Sequence, residues 1–332
     1  MSSTKRIGSD QMPLQLYIPL ISFCISIAVL FLLTKGKMAR FAIDKPNERS
    51  LHEKPVPRTG GVAILCGIMG GWTLLGPPSI PILVSMIVLV GISFLDDLYG
   101  LPVLLRFGAH FLAAGIFALF DLLPVLGPMG AFAAAIAIVW TINLYNFMDG
   151  SDGLAGGMAL FGFGFYGVAA FLAGDDYFSL LNMTIAMSAG AFLFFNFHPA
   201  RIFMGDSGSI PLGFLAAAFG LLGWENGDWP FWFPLAIFSP FVMDATITLL
   251  KRLFRGERIW QAHREHYYQR LIRMGLGHGR LALLEYVLML AIGISSLFAI
   301  RHAGGWILIA AWGLFFLAAM RHTDSRWAHY AK

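Results

Sequence analysis

The sequence predicts an all-α protein embedded in a membrane, with about eleven spanning helices (ten is the alternative count), the N-terminus outside and the C-terminus in the cytoplasm. Three observations predict it. Of the 332 residues, 58% are hydrophobic and 13% charged, and mean hydropathy is +0.71, against roughly 45–50% apolar content in soluble domains. Apolar runs recur along the whole chain at lengths suited to a hydrocarbon layer of about 30 Å, which takes about 20 helical residues. Lys and Arg fall almost entirely in alternate loops.

Spans are predicted near 16–34, 59–75, 79–95, 106–120, 129–147, 154–173, 177–197, 209–224, 229–250, 281–300 and 304–320. The first run follows Lys5 and Arg6 as a signal peptide would, but it is long and no small-residue cleavage site follows, so it reads as a retained span. The runs at 106–120 and 209–224 are short for a bilayer and must extend into their flanks or leave the count. With eleven spans, 20 of the 23 Lys and Arg residues lie on one side, concentrated in 35–58 and 251–280; only Lys5, Arg6 and Arg301 fall opposite. Cytoplasmic loops carry this excess, so 35–58, 96–105, 146–153, 198–209 and 251–280 are assigned to the cytoplasmic side. Residues 1–332 read as one membrane domain without repeat or linker. Cys24 and Cys66 sit in apolar runs without metal-ligand spacing, and the net charge of +4 comes without a basic stretch interleaved with aromatics, so nucleic acid is not an expected partner.

Four polar segments stand out against this background, all on the predicted cytoplasmic side. Asp96 and Asp97, in SFLDDLYGLP, are adjacent carboxylates that cannot share one helix face; alone they would read equally as a solvated helix end. In NLYNFMDGSDGLAGG, Asn143, Asn146, Asp149 and Asp152 lie within ten residues at the end of an apolar span, more than a polar turn needs and costly there unless a ligand is bound. In NFHPARIFMGDSGS, Asp206 and Ser207 stand at a helix start, where they could simply cap it. The same geometry offers free backbone N–H groups to an anion, and an Asp beside an anion could hold Mg²⁺ on phosphates. The fourth segment, 251–280, contains His263, Arg264, Glu265 and His266. It could be an orientation signal or an anionic-lipid contact, or a zinc site, although no cysteine accompanies the histidines; phosphate contact is the preferred reading.

Together DDLYGL, NLYNFMDGSDGLAGG, FNFHPARIFMGDSGS and the basic histidine loop resemble, in order, the cytoplasmic signatures of the polyprenyl-phosphate N-acetylhexosamine-1-phosphate transferases (glycosyltransferase 4 type). DKPNERSLHEKPVPRTGG also resembles that family's first cytoplasmic loop. The resemblance implies a Mg²⁺-dependent enzyme, with Mn²⁺ as the alternative ion, acting on a UDP-sugar and undecaprenyl phosphate. It implies Asp206 as metal ligand with Asp149 close to the metal, and Asp96 and Asp97 as the acidic pair that deprotonates the lipid phosphate. Asp152, Asn196 and Phe203 would line the uridine pocket, with Asn143 and Asn146 beside the substrate and Lys54 and Arg58 near the nucleotide. His263, Arg264 and His266 belong to the catalytic loop, where Glu265 replaces a commoner His. The HREHYYQRL form resembles the branch that initiates O-antigen and related polysaccharides, sometimes on deoxy-aminosugars, and Glu265 is expected to read the sugar. A homodimer is compatible with the sequence.

The implied reaction is direct attack by a polyprenyl-phosphate oxygen on the sugar-bearing phosphorus, with UMP leaving and Arg264 or His263 compensating charge; a two-step route through a covalent Asp is the alternative. A secondary transporter is the alternative. Transporters bind at the bilayer midplane between repeated halves; here only Asp244 lies deep enough in a span to suit that role, and it also resembles a family position near the metal site.

Overall fold

The computed structural model describes residues 15–35, 42–44, 55–258, 263–302 and 304–330. Lys54 lies outside the described residues. The order is α1 (Ile18–Leu33), β1 (Ile43–Asp44), β2 (Val56–Pro57), α2 (Gly60–Leu75), α3 (Ile80–Tyr99), α4 (Val103–Phe117), α5 (Leu123–Phe147), α6 (Leu154–Ala173) and α7 (Asp176–Asn196). It continues with α8 (Asp206–Asn226), α9 (Trp232–Ile237), α10 (Ser239–Phe254), α11 (Tyr267–Leu271), α12 (His278–Arg301) and α13 (Gly305–Tyr330). Among the described residues, seven helical segments can cross a membrane by length and hydropathy, with Val103–Phe147 counted as one, and α1 and α2 are apolar helices of 16 residues.

Local chemistry sets the ends. Ser79 caps α3 by accepting the Ile82 N–H at 3.3 Å, and Gly100 ends that helix in the left-handed region. Asp175 does the same for α7, accepting the Phe178 N–H at 2.9 Å. The short run 106–120 begins earlier, at Val103, and passes through a π-turn at Ala118–Leu122 straight into α5. At about 1.5 Å per residue, 45 continuous residues would be twice the bilayer thickness. Gly127, at φ 67 and ψ 177, interrupts them. Arg106 near the start of α4 and Asn146 near the end of α5 both bond Asp206, so the two helices form a hairpin. The other short run extends to a 21-residue α8. The predicted 229–250 span is corrected: it divides into α9 and α10 at Phe238, between Pro234 and Pro240, the second of which lacks the N–H that a continuous helix would use.

The most enclosed helix is α8, with 78% of its apolar window inside the protein against 17% for α13. It packs on α2, α3 and α5. Its crossing with α2 is close enough that a Cβ on Gly61 would lie 2.3 Å from the Gly208 nitrogen. At one end of the bundle, rings from α6 and the 227–238 segment interlock, with Tyr166 stacked on Trp229 at 4.7 Å. That same end holds the contact of Ser79 with Asp121 and of Tyr177 with the Gly76 and Pro77 carbonyls. The polar segments gather at the opposite end.

Candidate functional site

The site is built where α3 ends and α8 begins. Gly205 takes φ 73, and a Cβ there would lie 2.5 Å from the Arg58 carbonyl oxygen and 3.1 Å from Asp97 Oδ2. Only glycine fits that backbone. The 203–205 segment is held from the other side by the chain leaving β2: Phe203 N–H donates to Pro57 O, and the N–H groups of Gly60 and Gly61 donate to Phe203 O and Met204 O, each at 2.8 Å. The β1–β2 pairing, Ile43 opposite Pro57 and Asp44 opposite Val56, anchors this strap. Arg58 is thereby brought near Asp97, whose charge it partly offsets.

The adjacent carboxylates divide their work. Asp97 accepts the backbone N–H groups of Asp206 and Ser207 at 3.3 and 3.0 Å. Gly208 and Ser209 N–H both donate to Gly205 O at 3.0 Å. The first-turn amides of α8 are therefore already satisfied, which corrects the expectation of an open anion site at this helix start. Asp96 points elsewhere: it accepts the Leu101 N–H at 2.6 Å and pairs with Arg106 Nη1 at 2.9 Å. The same Nη1 lies 3.3 Å from Asp206 Oδ2, while Asn146 Nδ2 donates to Asp206 Oδ1 and to Ser209 Oγ, each at 2.9 Å.

Asp149 completes the cluster from the loop after α5. Gly205 N–H donates to it, yet burial first, and then the charges of Asp206 and Asp97, hold its carboxyl well above the ordinary range. Four carboxylates thus meet two guanidiniums, those of Arg58 and Arg106. A hard divalent cation fits this set of oxygen donors, although among the described residues no three His, Cys, Asp or Glu side chains stand ready as a metal cage.

The uridine-pocket candidates are placed beside the cluster, but with their polar groups in use. Asn196 accepts Gly153 N–H and donates to Ile202 O, both at 2.9 Å. Asp152 Oδ2 contacts His198 Nδ1 at 2.7 Å and accepts Ala200 N–H at 3.1 Å. These two side chains knit the 149–153 and 196–202 loops together. Asn143 donates back to Val139 O at 2.7 Å within its own helix, and Phe203 is half-buried beside the strap.

The basic loop docks onto this assembly through Asp244. Its carboxylate accepts the N–H groups of Tyr267 and Tyr268 at 2.9 Å and lies 3.3 Å from His266 Nδ1. Tyr268 O–H then donates to Phe147 O at 3.1 Å. Glu265 is enclosed by Arg252 at 3.0 Å, Arg270 at 3.6 Å and Arg255. A carboxylate shared by three guanidiniums is a structural hub of the basic loop. His263 is pushed down to about 4 by burial first, then by His266 and Arg252. Arg264 beside it has no ion pair among the described residues. Sequence reasoning missed Arg106, counted only as an orientation charge, and the anchoring role of Asp244; the one available signal for Arg106 was its place in the loop that also carries Asp96.

This is the polar end of a multi-pass membrane transferase. Residues 79–223 match the model of Glycosyl transferase family 4. The chain is 30% identical over 284 residues to the Bacillus subtilis protein named "Probable undecaprenyl-phosphate N-acetylglucosaminyl 1-phosphate transferase", covering 80% of this chain and 79% of that protein. It is 29% identical over 302 residues to the "Decaprenyl-phosphate N-acetylglucosaminephosphotransferase" of Mycobacterium tuberculosis, covering 74% and 72%. It is 27% identical over 321 residues to the "Undecaprenyl-phosphate alpha-N-acetylglucosaminyl 1-phosphate transferase" of Yersinia pestis, covering 89% and 87%. The chain belongs to glycosyl transferase family 4. Nothing in these matches supports the transporter alternative, and Asp244, the residue that suggested it, holds a loop.

Proposed function

We propose that the chain transfers N-acetylhexosamine 1-phosphate from a UDP-sugar to undecaprenyl phosphate at the cytoplasmic face of the bacterial inner membrane, releasing UMP. The observation that carries this reading is the convergence of Asp96, Asp97, Asp149 and Asp206 with two guanidiniums at one end of the spanning helices, where a lipid phosphate and a soluble nucleotide can meet. The relatives' names support N-acetylglucosamine as the sugar and a prenyl phosphate as the acceptor. The product would start a cell-surface polysaccharide, with O-antigen as the polymer its basic loop favours.

An acceptor phosphate oxygen forms the new bond to the sugar-bearing phosphorus. The bond from that phosphorus to the bridging oxygen breaks, and its electron pair leaves with UMP. Such a transfer needs positioning and charge neutralisation more than covalent help. The acceptor is already largely ionised near neutral pH, so Asp97 takes at most its last proton and otherwise positions Asp206 by bonding the start of α8. Asp206 and Asp149 would hold Mg²⁺ (or Mn²⁺), which supplies neutralisation of the pyrophosphate charge. Arg264 would compensate the same charge from the basic loop. The test is UMP release by purified protein with undecaprenyl phosphate, Mg²⁺ and UDP-N-acetylglucosamine, alongside other UDP-sugars including deoxy-aminosugar donors. UMP formed only when acceptor and a UDP-sugar are both present is the expected result; no UMP from any donor would refute the reading.

A further inference from the structure

The last helix, α13, outruns the membrane. Its 26 residues make about 39 Å at about 1.5 Å per residue, more than a hydrocarbon layer of about 30 Å. It continues through Tyr330, although the apolar run that predicts it ends near 320. Within the membrane little protein covers it. One stripe of buried or half-buried side chains, Phe316, Met320, Thr323 and Trp327, nevertheless follows the three-and-four spacing of a single helix face out of the apolar run. Asp324, beside that stripe, is where the helix meets the basic loop. Its Oδ1 accepts from Arg270 Nη1 at 2.9 Å, and its Oδ2 accepts from the Tyr267 hydroxyl at 3.1 Å and pairs with Lys251. About one turn on, the Trp327 ring lies under the Arg270 and Arg273 guanidiniums, at 5.8 and 4.7 Å.

We infer that Asp324 is a positioning residue for the transfer reaction, acting through α11 to hold the segment that carries His263, Arg264 and His266 against the carboxylate end. The assignment rests on the transfer reading above and adds what sets the place of the basic loop. On its inner side α11 is tied to the site: His266 stacks on Phe147, two residues before Asp149, with 6.1 Å between ring centres, and Tyr268 O–H reaches Phe147 O. On its outer side the partners are charged. Arg252, Arg255 and Arg270 pair with Glu257 and Glu265, and Asp324 supplies the third carboxylate for these arginines and Lys251. Arg270 is almost fully buried and is shared between Asp324 and Glu265, the latter at 3.6 Å. Removing the Asp324 charge leaves a buried guanidinium with one distant carboxylate, a costly state. Arg270 relieves it by moving toward Glu265, and α11 moves with it.

The test is Asp324→Asn in the full-length protein, with Asp324→Glu as the variant that keeps the charge. The KM for the UDP-sugar should rise at least ~10-fold in Asp324→Asn, since displacing a contact by about 1 Å can cost up to about 10²-fold. The KM for undecaprenyl phosphate should stay at the wild-type value, and Asp324→Glu should recover most of the loss. A fall in kcat with both KM values unchanged is the mark of lost folded protein and would overturn the assignment. A second measurement does not need turnover: amide hydrogen exchange across 264–271 should quicken at least ~10-fold in Asp324→Asn, with exchange across 154–173 unchanged. Equal exchange across 264–271 in variant and wild type would refute the positioning role. Faster exchange there in the variant, together with a wild type that releases no UMP from any UDP-sugar, would reject the transfer reading alone.

Discussion

At the scale of single residues, the site depends on who neutralises Asp206. Arg106 and Asn146 each hold one of its oxygens, and Asp97 fixes the backbone on which it stands. Asp206→Asn keeps the shape and one acceptor oxygen but removes the charge. It is expected to lose at least ~10²-fold in rate, about 2.7 kcal/mol of transition-state stabilisation, with near-normal detergent stability. UMP release measured across Mg²⁺ concentrations checks this; an active variant with unaltered metal dependence would end Asp206's assignment as ligand. Arg106→Met leaves Asp96 and Asp206 without their shared partner, each a partly buried charge. It should lower stability by about 1–3 kcal/mol, read as a fall in Tm, and slow turnover as well.

At the scale of elements, two short pieces position the chemistry. The strap from β2 to α2 presses on Gly205, so Gly205→Ala meets both a positive φ and the Arg58 carbonyl. The expected cost is about 1–3 kcal/mol, seen as a lower unfolding temperature. A neutral result would mean that the strap yields. The basic loop contributes one pH-dependent element of stability. His263 has an ordinary value near 6.5 when unfolded and about 4 in place. Between these values the unfolded chain binds more protons, so this residue's contribution to stability is present above about pH 6.5 and is lost as pH falls toward 4. His263→Gln should flatten the Tm-against-pH curve over that interval and leave it unchanged above pH 7. Parallel curves for the two proteins would remove His263 as the cause.

At the scale of the whole molecule, the protein places its chemistry at one end and its aromatic packing at the other. The cytoplasmic assignment of the polar end is tested by accessibility in intact cells, with Cys24 and Cys66 replaced because both are exposed. Tyr268 is buried and bonded to Phe147, so it makes a poor probe; Arg258 and Glu225 are exposed at opposite ends. Arg258→Cys should resist a membrane-impermeant thiol reagent, and Glu225→Cys should react. Reaction of the first from outside would invert the orientation.

Apolar runs and turn residues fixed in advance where most helices lie, because the cost of burying a polar backbone in lipid leaves helix as the only solution for such runs. The motifs DDLYGL, NLYNFMDGSDGLAGG and FNFHPARIFMGDSGS likewise marked the segments that meet, since Asn and Asp at span ends have little other reason to be there. What each side chain does was decided only by tertiary packing. Adjacent Asp96 and Asp97 have the same chemistry, and only the approach of α4 and α8 sends one to a guanidinium and the other to two backbone amides. In the sequence Glu265 reads as a sugar contact and Asp244 as a transport acid or a group near the metal; packing shows in addition that three arginines hold the first and that the second holds the turn at Tyr267. Hydrogen bonds and ion pairs across more than a hundred residues, such as Arg106 to Asp206, depend on where helices cross, and no local pattern carries that distance.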